Sequence, residues 1–245
     1  MNYAVIDTEG SGLFDFKKPA DAPGQPRMAA LGLILLNDRF DVEEKRGWLI
    51  RPEGWTFDNN SDAAKKNGLT HECLMAEGVD VREPLRAYGD AIDQRRIVVG
   101  FNVPHDLKTL RAEARHVGFP DRYMQTRYIC VMQGCRMFVD ARTADGKKKA
   151  PRLEEACAYY GIDQGIGAHT GLGDAESALQ ILLKLAEIGA VPEFTDPYEK
   201  ASGPKKAHRA HLDKKTTDRP QGRDYEEQVL REQQDFLRGA SEDGK

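Results

Sequence analysis

Residues 3–13 read YAVIDTEGSGL, and the reading of this stretch decides the fold. The apolar run from Tyr3 to Ile6 has the pattern of a strand buried within a sheet. It ends in Asp7 and Glu9, which are separated by one residue, so the period-two geometry of a strand directs both carboxylates to the same side. Two acids held this closely repel each other unless a cation lies between them. Gly10, Ser11 and Gly12 then loosen the chain, which puts the pair at a strand exit, the place where ligands gather in open α/β sheets. Asp-x-Glu alone is common and is more often a solvated strand end.

Outward from this stretch, the pattern alternates. Residues 10–28 (GSGLFDFKKPADAPGQPRM), with three prolines and three glycines, read as a long irregular loop, and Ala29–Leu36 (AALGLILL) reads as a second strand, apolar throughout. Gly47–Ile50 closes a third strand. Ser61–Asn67 predicts a short helix capped by Ser61 or Asn60 and stopped by Gly68, and Pro84–Asp93 carries a helical period. IVVGFN (97–102) predicts another buried strand, running into a helix from about His105 to His116. Residues 128–139 fit helix and strand equally, and TADGKKKAP (143–151) reads as a charged, mobile connection. Leu153–Tyr160 and Ala175–Ile188 predict amphipathic helices, the second with Ala178, Ile181, Leu182 and Leu185 on one face. Strands first, then strand and helix in turn, indicate an α/β domain on a mixed central sheet flanked by helices.

The chain of 245 residues is long enough for one substantial domain, residues 1–194, followed by a polar C-terminal tail, residues 195–245. Between Lys200 and Arg223 eight basic residues face two acidic ones, the composition of a flexible tether that attracts nucleic acid or of a plain solvated tail. Asp224–Arg238 could add a terminal helix. A net charge of -4 argues against a surface that is basic all over. No apolar run is long enough to cross a bilayer and no signal core follows the N-terminus, so a cytoplasmic location without membrane association is expected. Cys73, Cys130, Cys135 and Cys157 lack the spacing of a zinc site and read as reduced thiols.

Two further segments carry chemistry. Asp106 follows IVVGFN at a helix start, where the positive N-terminal end favours a carboxylate and where Asn102 and the helix amides could orient a phosphate. Taken alone it is more often an acid that satisfies the helix dipole. His169 and Asp174 are separated by TGLG in a glycine-rich stretch, which suggests a movable imidazole beside an acid fixed in the first turn of a helix. His71, His105, His116, His208 and His211 read as ordinary solvated residues, with His105 an outside candidate through its neighbour Asp106.

Together DTE followed by SGL, NVPHD and HTGLGD resemble, in order, the three motifs of the DEDDh group of DnaQ-like 3′ to 5′ exonucleases. NGLTHECLMAEGV and APRLEEACAYYGID are also similar to segments of that family, and the resemblance covers about residues 1–190. It departs at Gly10-Ser11, where proofreading members frequently have a threonine pair, and in the length of the loop after Phe14. The resemblance implies an RNase H-like fold with two divalent ions, Mg²⁺ or Mn²⁺, held by Asp7, Glu9, Asp106 and Asp174. It implies His169 as the base that takes a proton from the attacking water, and release of nucleoside 5′-monophosphates. Glu9 with Gly10, Ser11 and Gly12 would hold the 3′ end, Leu13 would wedge against the last base, and Asn102 would help to bind substrate. The implied partner is nucleic acid with a free 3′ end, single-stranded DNA ahead of RNA. A proofreading subunit that docks on a polymerase through its tail and a noncatalytic nucleic-acid-binding module are the alternatives.

Overall fold

The computed structural model describes residues 1–164, 167 and 169–202. The expected tail tether and the helix at 224–238 lie outside the described residues. Residues 1–197 form one compact unit, described below.

Five strands form a mixed sheet in the order β3-β2-β1-β4-β5. β1 (Tyr3–Gly10) lies at its centre, antiparallel to β2 (Met28–Leu36) and parallel to β4 (Ile97–Gly100). β2 continues antiparallel to β3 (Val42–Leu49), and β4 is parallel to β5 (Tyr128–Cys130). β3 is an edge strand with a largely exposed, charged sequence, a composition that discourages pairing with a further strand. The architecture is the mixed α/β sheet expected from the alternating pattern, in the RNase H-like form that the resemblance implies.

Strand alternation divides the core in two. Ala4, Ile6, Leu31, Leu33 and Val98 face one side and pack with residues of α3 (Arg82–Asp93) and α4 (Val103–His116). Val5, Ile34, Leu36, Ile97 and Val99 face the other and pack with α5 (Val131–Cys135), α6 (Leu153–Tyr160) and α7 (Gly171–Glu187). The stripe Ala178, Ile181, Leu182 and Leu185 of α7 lies wholly in this second layer. Two short helices, α1 (Asp62–Asn67) and α2 (His71–Glu77), follow β3. Ser61 caps α1 by accepting from the amide of Ala64, and Gly68, at φ 67°, ends it in the left-handed region that favours glycine. A last short helix, α8 (Pro197–Ser202), ends the described chain.

Several segments differ from their sequence reading. β1 runs on to Gly10, which places Glu9 within the strand, and its register with β2 shifts between Glu9 and Gly10. The ambiguous 128–139 segment divides into the short strand β5 and the single turn of α5. The 143–151 connection folds back on itself through a bridge between Arg142 and Lys148. α7 begins at Gly171, one turn earlier than the apolar period indicated, with Thr170 accepting from the Gly173 amide as cap. The glycines of TGLG therefore belong to a helix start. They are helical because of where they pack, which overrides their poor intrinsic propensity.

The reason is a backbone contact. Gly32 of β2 lies directly under the start of α7, where an added Cβ would stand 2.2 Å from the carbonyl oxygen of Gly171 and 2.5 Å from the Cα of Leu172. A Cβ on Gly171 would in turn stand 2.8 Å from the Gly32 nitrogen and 3.2 Å from the Asp7 carbonyl oxygen. We expect Gly32→Ala to push α7 off the sheet and to destabilise the protein by about 1–3 kcal/mol or more. Gly47→Ala, whose Cβ would meet only the Leu172 side chain at 3.3 Å, should cost less. Thermal melts of the two variants check the order.

Candidate active site

β1, α4 and α7 converge at the C-terminal end of β1. Asp7 pairs in register with Gly32, and Glu9 with Ala30, so both carboxylates leave the sheet on the face covered by α7. There they meet Asp174, buried in the first turn of α7. Asp7, Glu9 and Asp174 each offer an oxygen, and the three atoms lie within 4.8 Å of one another. Thr8, between the two strand acids, points to the opposite face. Its amide and hydroxyl both donate to Oδ1 of Asp106, at 2.9 and 2.7 Å, and so fix a carboxylate that is only 4% exposed in the first turn of α4. Asp106 lines the same cleft as the other three acids but stands outside their tight cluster.

The cleft has a volume of about 870 Å³ and is open to solvent. Gly10, Ser11, Gly12 and Leu13 line it, as do Asn102 and His105. Ser11 is held by the start of β2: its amide donates to the Arg27 carbonyl at 2.8 Å, and its hydroxyl accepts from the Arg27 amide at 2.9 Å. Arg27 in turn pairs through Nε and Nη2 with the carboxylate of Glu113 on α4, both at 2.8 Å, and Glu113 also accepts from the Met28 amide. Leu13, 91% exposed, projects at the rim. Asn102 is exposed and makes no capping bond with its side chain.

Burial, followed by the repulsion of Asp106, Asp174 and Glu9, holds the carboxyl of Asp7 well above the usual carboxylate range. Glu9 is pushed up to about 7, first by burial and then by Asp174, against the opposing pull of Asn67 and Lys66. Burial also raises Asp106 to about 7 even though Thr8 stabilises its ionised form, and it raises Asp174. Hard carboxylate oxygens clustered in this way, each resisting ionisation alone, fit divalent cations, whose charge would offset the repulsion.

His169 lies beside this cluster and does not line the cleft. Its amide donates to Oδ1 of Asp174 at 3.1 Å, its backbone takes a left-handed φ of 63°, and its Nδ1 is buried without a hydrogen-bond partner among the described residues. A non-glycine residue in this region carries strain that its surroundings must hold. Gly173 packs against Gly167, where an added Cβ would stand 1.9 Å from the Gly167 carbonyl oxygen. The helix start and Gly167 are thus pressed together.

Several cleft residues were not singled out in the sequence. Lys66 and Asn67 come from α1, and Asn67 Nδ2 approaches Glu9 Oε2 at 3.5 Å. The helix was legible, but its position across from β1 depends on a loop path with no local signal. Thr8 could have been found, since a hydroxyl between two acids on a strand must face the other way. His105 departs from its reading as a solvated residue: it is half-buried, and its ring packs on Phe14 at 5.6 Å between centroids.

Neither protein-family models nor curated protein sequences give a match to the chain. Solved structures do. The chain is similar to E. coli exonuclease I in complex with a dT13 oligonucleotide, at a TM-score of 0.61 and 17% identity, over 75% of this chain and 40% of that one. It is similar to the nuclease domain of 3′hExo, a DEDDh family member bound to rAMP, at a TM-score of 0.60 and 15% identity, over 79% of this chain and 96% of that one. A full-length 3′-exonuclease matches at a TM-score of 0.60 and 15% identity, over 79% of this chain and 62% of that one. The chain thus spans about two fifths of the length of the exonuclease I structure. Its fold is that of the DnaQ-like, RNase H-like exonucleases. No helix among the described residues is long and apolar enough to cross a membrane.

The raised carboxyls link stability to pH. Protonated forms favoured by the fold contribute stability that is present below the usual carboxylate range and lost as pH rises through about 7, the value for Glu9 and Asp106. In EDTA the melting temperature should therefore fall more steeply between pH 5 and 8 in the native sequence than in Glu9→Gln. Mn²⁺ should raise it more at pH 8 than at pH 6. Equal slopes for the two proteins in EDTA would count against the electrostatic account.

Proposed function

We propose that the chain is a metal-dependent 3′ to 5′ exonuclease that hydrolyses the terminal phosphodiester of single-stranded nucleic acid, DNA in preference to RNA. The observation that carries this reading is the convergence of Asp7, Glu9 and Asp174 within 4.8 Å at the floor of an open cleft, with Asp106 held alongside by Thr8. Asp7, Glu9, Asp106 and Asp174 would hold two Mg²⁺ or Mn²⁺ ions. Such ions neutralise charge on the attacking and leaving oxygens of a phosphoryl centre.

The side chains do the rest. Glu9 and the backbone of Gly10 to Gly12 seat the 3′-terminal nucleotide, and Leu13 rests against its base. His169 removes the proton from the attacking water; its Nδ1 has no hydrogen-bond partner among the described residues, which leaves that nitrogen uncommitted. Attack at phosphorus breaks the bond to the 3′ oxygen of the preceding nucleotide and releases a nucleoside 5′-monophosphate.

The preference for single strands and DNA draws on the oligonucleotide carried by the exonuclease I structure, whereas the rAMP bound to 3′hExo keeps RNA within the tested set. The polymerase-docking alternative finds no support in these likenesses.

Digestion of 3′- and 5′-labelled DNA and RNA oligonucleotides, single- and double-stranded, with Mg²⁺, Mn²⁺ or EDTA tests polarity, sugar, strandedness and cation dependence together. Asp7→Ala should abolish hydrolysis. His169→Ala should lower turnover by roughly 10²- to 10⁴-fold while calorimetric Mn²⁺ binding persists. Hydrolysis at the native rate by purified Asp7→Ala protein would remove the assignment.

A further inference from the structure

The long loop between β1 and β2 holds two phenylalanines in different settings. Phe14 is buried in a small cluster with Ala20 and Ala112, whereas Phe16, two residues on, is 63% exposed. Enclosing a Phe side chain contributes about 1.5–3 kcal/mol, so a ring left in water beside an apolar cluster forgoes a sizeable gain.

The position of Phe16 is nonetheless held. Lys108 of α4 donates through Nζ to the carbonyls of Asp15 and Lys18, at 3.0 and 3.2 Å, which pins the backbone on both sides of the ring. The same ammonium stands 4.5 Å from the centre of the Phe16 ring and 5.1 Å from that of Phe14, within cation–π range. Gln25 secures the loop from within, accepting from the Asp15 amide at 3.0 Å and donating to the Asp15 and Pro19 carbonyls at 2.8 and 2.9 Å.

Phe16 is also continuous with the cleft. His105 lines the cleft, and its ring lies 6.4 Å from that of Phe16. Leu13, three residues earlier, forms the cleft rim. Lys17 and Lys18 are exposed beside the ring. The exposed rings of Tyr159 and Phe194 meet Tyr160 and Arg127 instead, neither of which lines the cleft.

We propose that Phe16, fixed by Lys108 and joined to the cleft through His105, is a stacking shelf for the bases of single-stranded nucleic acid on the 5′ side of the scissile bond. This rests on the exonuclease reading of the cleft. With the terminal nucleotide over the carboxylates, the rest of the strand must leave across a wall of the cleft. Just beyond the rim at Leu13, the ring of Phe16 offers an apolar surface for bases, with Lys17, Lys18 and Lys108 beside it for phosphates. Every base has a π face, so the shelf grips without reading sequence. Such a shelf would make affinity grow with strand length while the chemistry stays at the terminal bond.

The test compares two substrates of the full chain: an oligothymidylate of about eight nucleotides and the p-nitrophenyl ester of thymidine 5′-monophosphate, which reaches only the terminal site. Phe16→Ala should raise KM for the oligonucleotide by roughly 5- to 150-fold, the loss expected for one stacked base, and leave KM for the ester and both kcat values unchanged. Phe16→Trp should restore the oligonucleotide KM and Phe16→Leu should not. Abasic residues in place of the internal thymines should raise the KM of the native protein to that of Phe16→Ala.

An unchanged oligonucleotide KM in Phe16→Ala, or an equal rise for both substrates, overturns the shelf and leaves the nuclease reading intact. If the native protein cleaves neither substrate, fluorescence anisotropy of the labelled oligonucleotide with Mn²⁺ decides. Binding that weakens in Phe16→Ala then supports the shelf on a noncatalytic protein, and the absence of binding overturns both readings.

Discussion

The site depends on one steric constraint, the contact of two glycine backbones where α7 meets the sheet. Gly32 is the register partner of Asp7, and Gly171 begins the helix that carries Asp174. Because neither residue has a side chain, the helix start lies against the strand, and Asp174 comes within ligand distance of Asp7 and Glu9. A single methyl group at this crossing would separate the elements that bring the acids together. The rigidity of the remaining fold is directed to holding that crossing: Ala175, Ala178, Ile181 and Leu182 seal the helix to the sheet over its length.

Strand alternation then sorts the acids into two kinds. Asp7 and Glu9 face α7, and Thr8 faces α4. The central strand therefore grips both helical layers within three residues, with carboxylates on one side and a hydroxyl on the other. Asp106 answers to Thr8, and its orientation is set before any ligand arrives. Asp174 answers to the amide of His169, so one carboxylate connects the cluster to the backbone of the imidazole residue.

Much of this was legible in the sequence because it is local. The apolar run before Asp7, the cap at Ser61 with its stop at Gly68, and the period of Leu153–Tyr160 each follow from neighbouring residues, and each has its counterpart in the structure. The placement of Asp7, Glu9 and Asp174 in one cleft was legible only through the order of three motifs. What escaped was set by long-range packing. The early start of α7 runs against the propensity of TGLG and is imposed by Gly32. The half-buried state of His105 depends on Phe14, some ninety residues away in a loop whose path no short pattern specifies. Lys66 and Asn67 reach the cleft because α1 folds across it, which helix signals alone do not reveal.

The two helix starts at the site have an electrostatic consequence. α4 presents its first turn to Asp106 from one face of the sheet, and α7 presents its first turn to Asp174 from the other. Each helix N-terminus carries the equivalent of roughly half a positive elementary charge. Two such ends aimed at one group of acids act as built-in counter-charge. They soften the repulsion among the carboxylates from within the fold itself, in opposition to the burial that resists their ionisation.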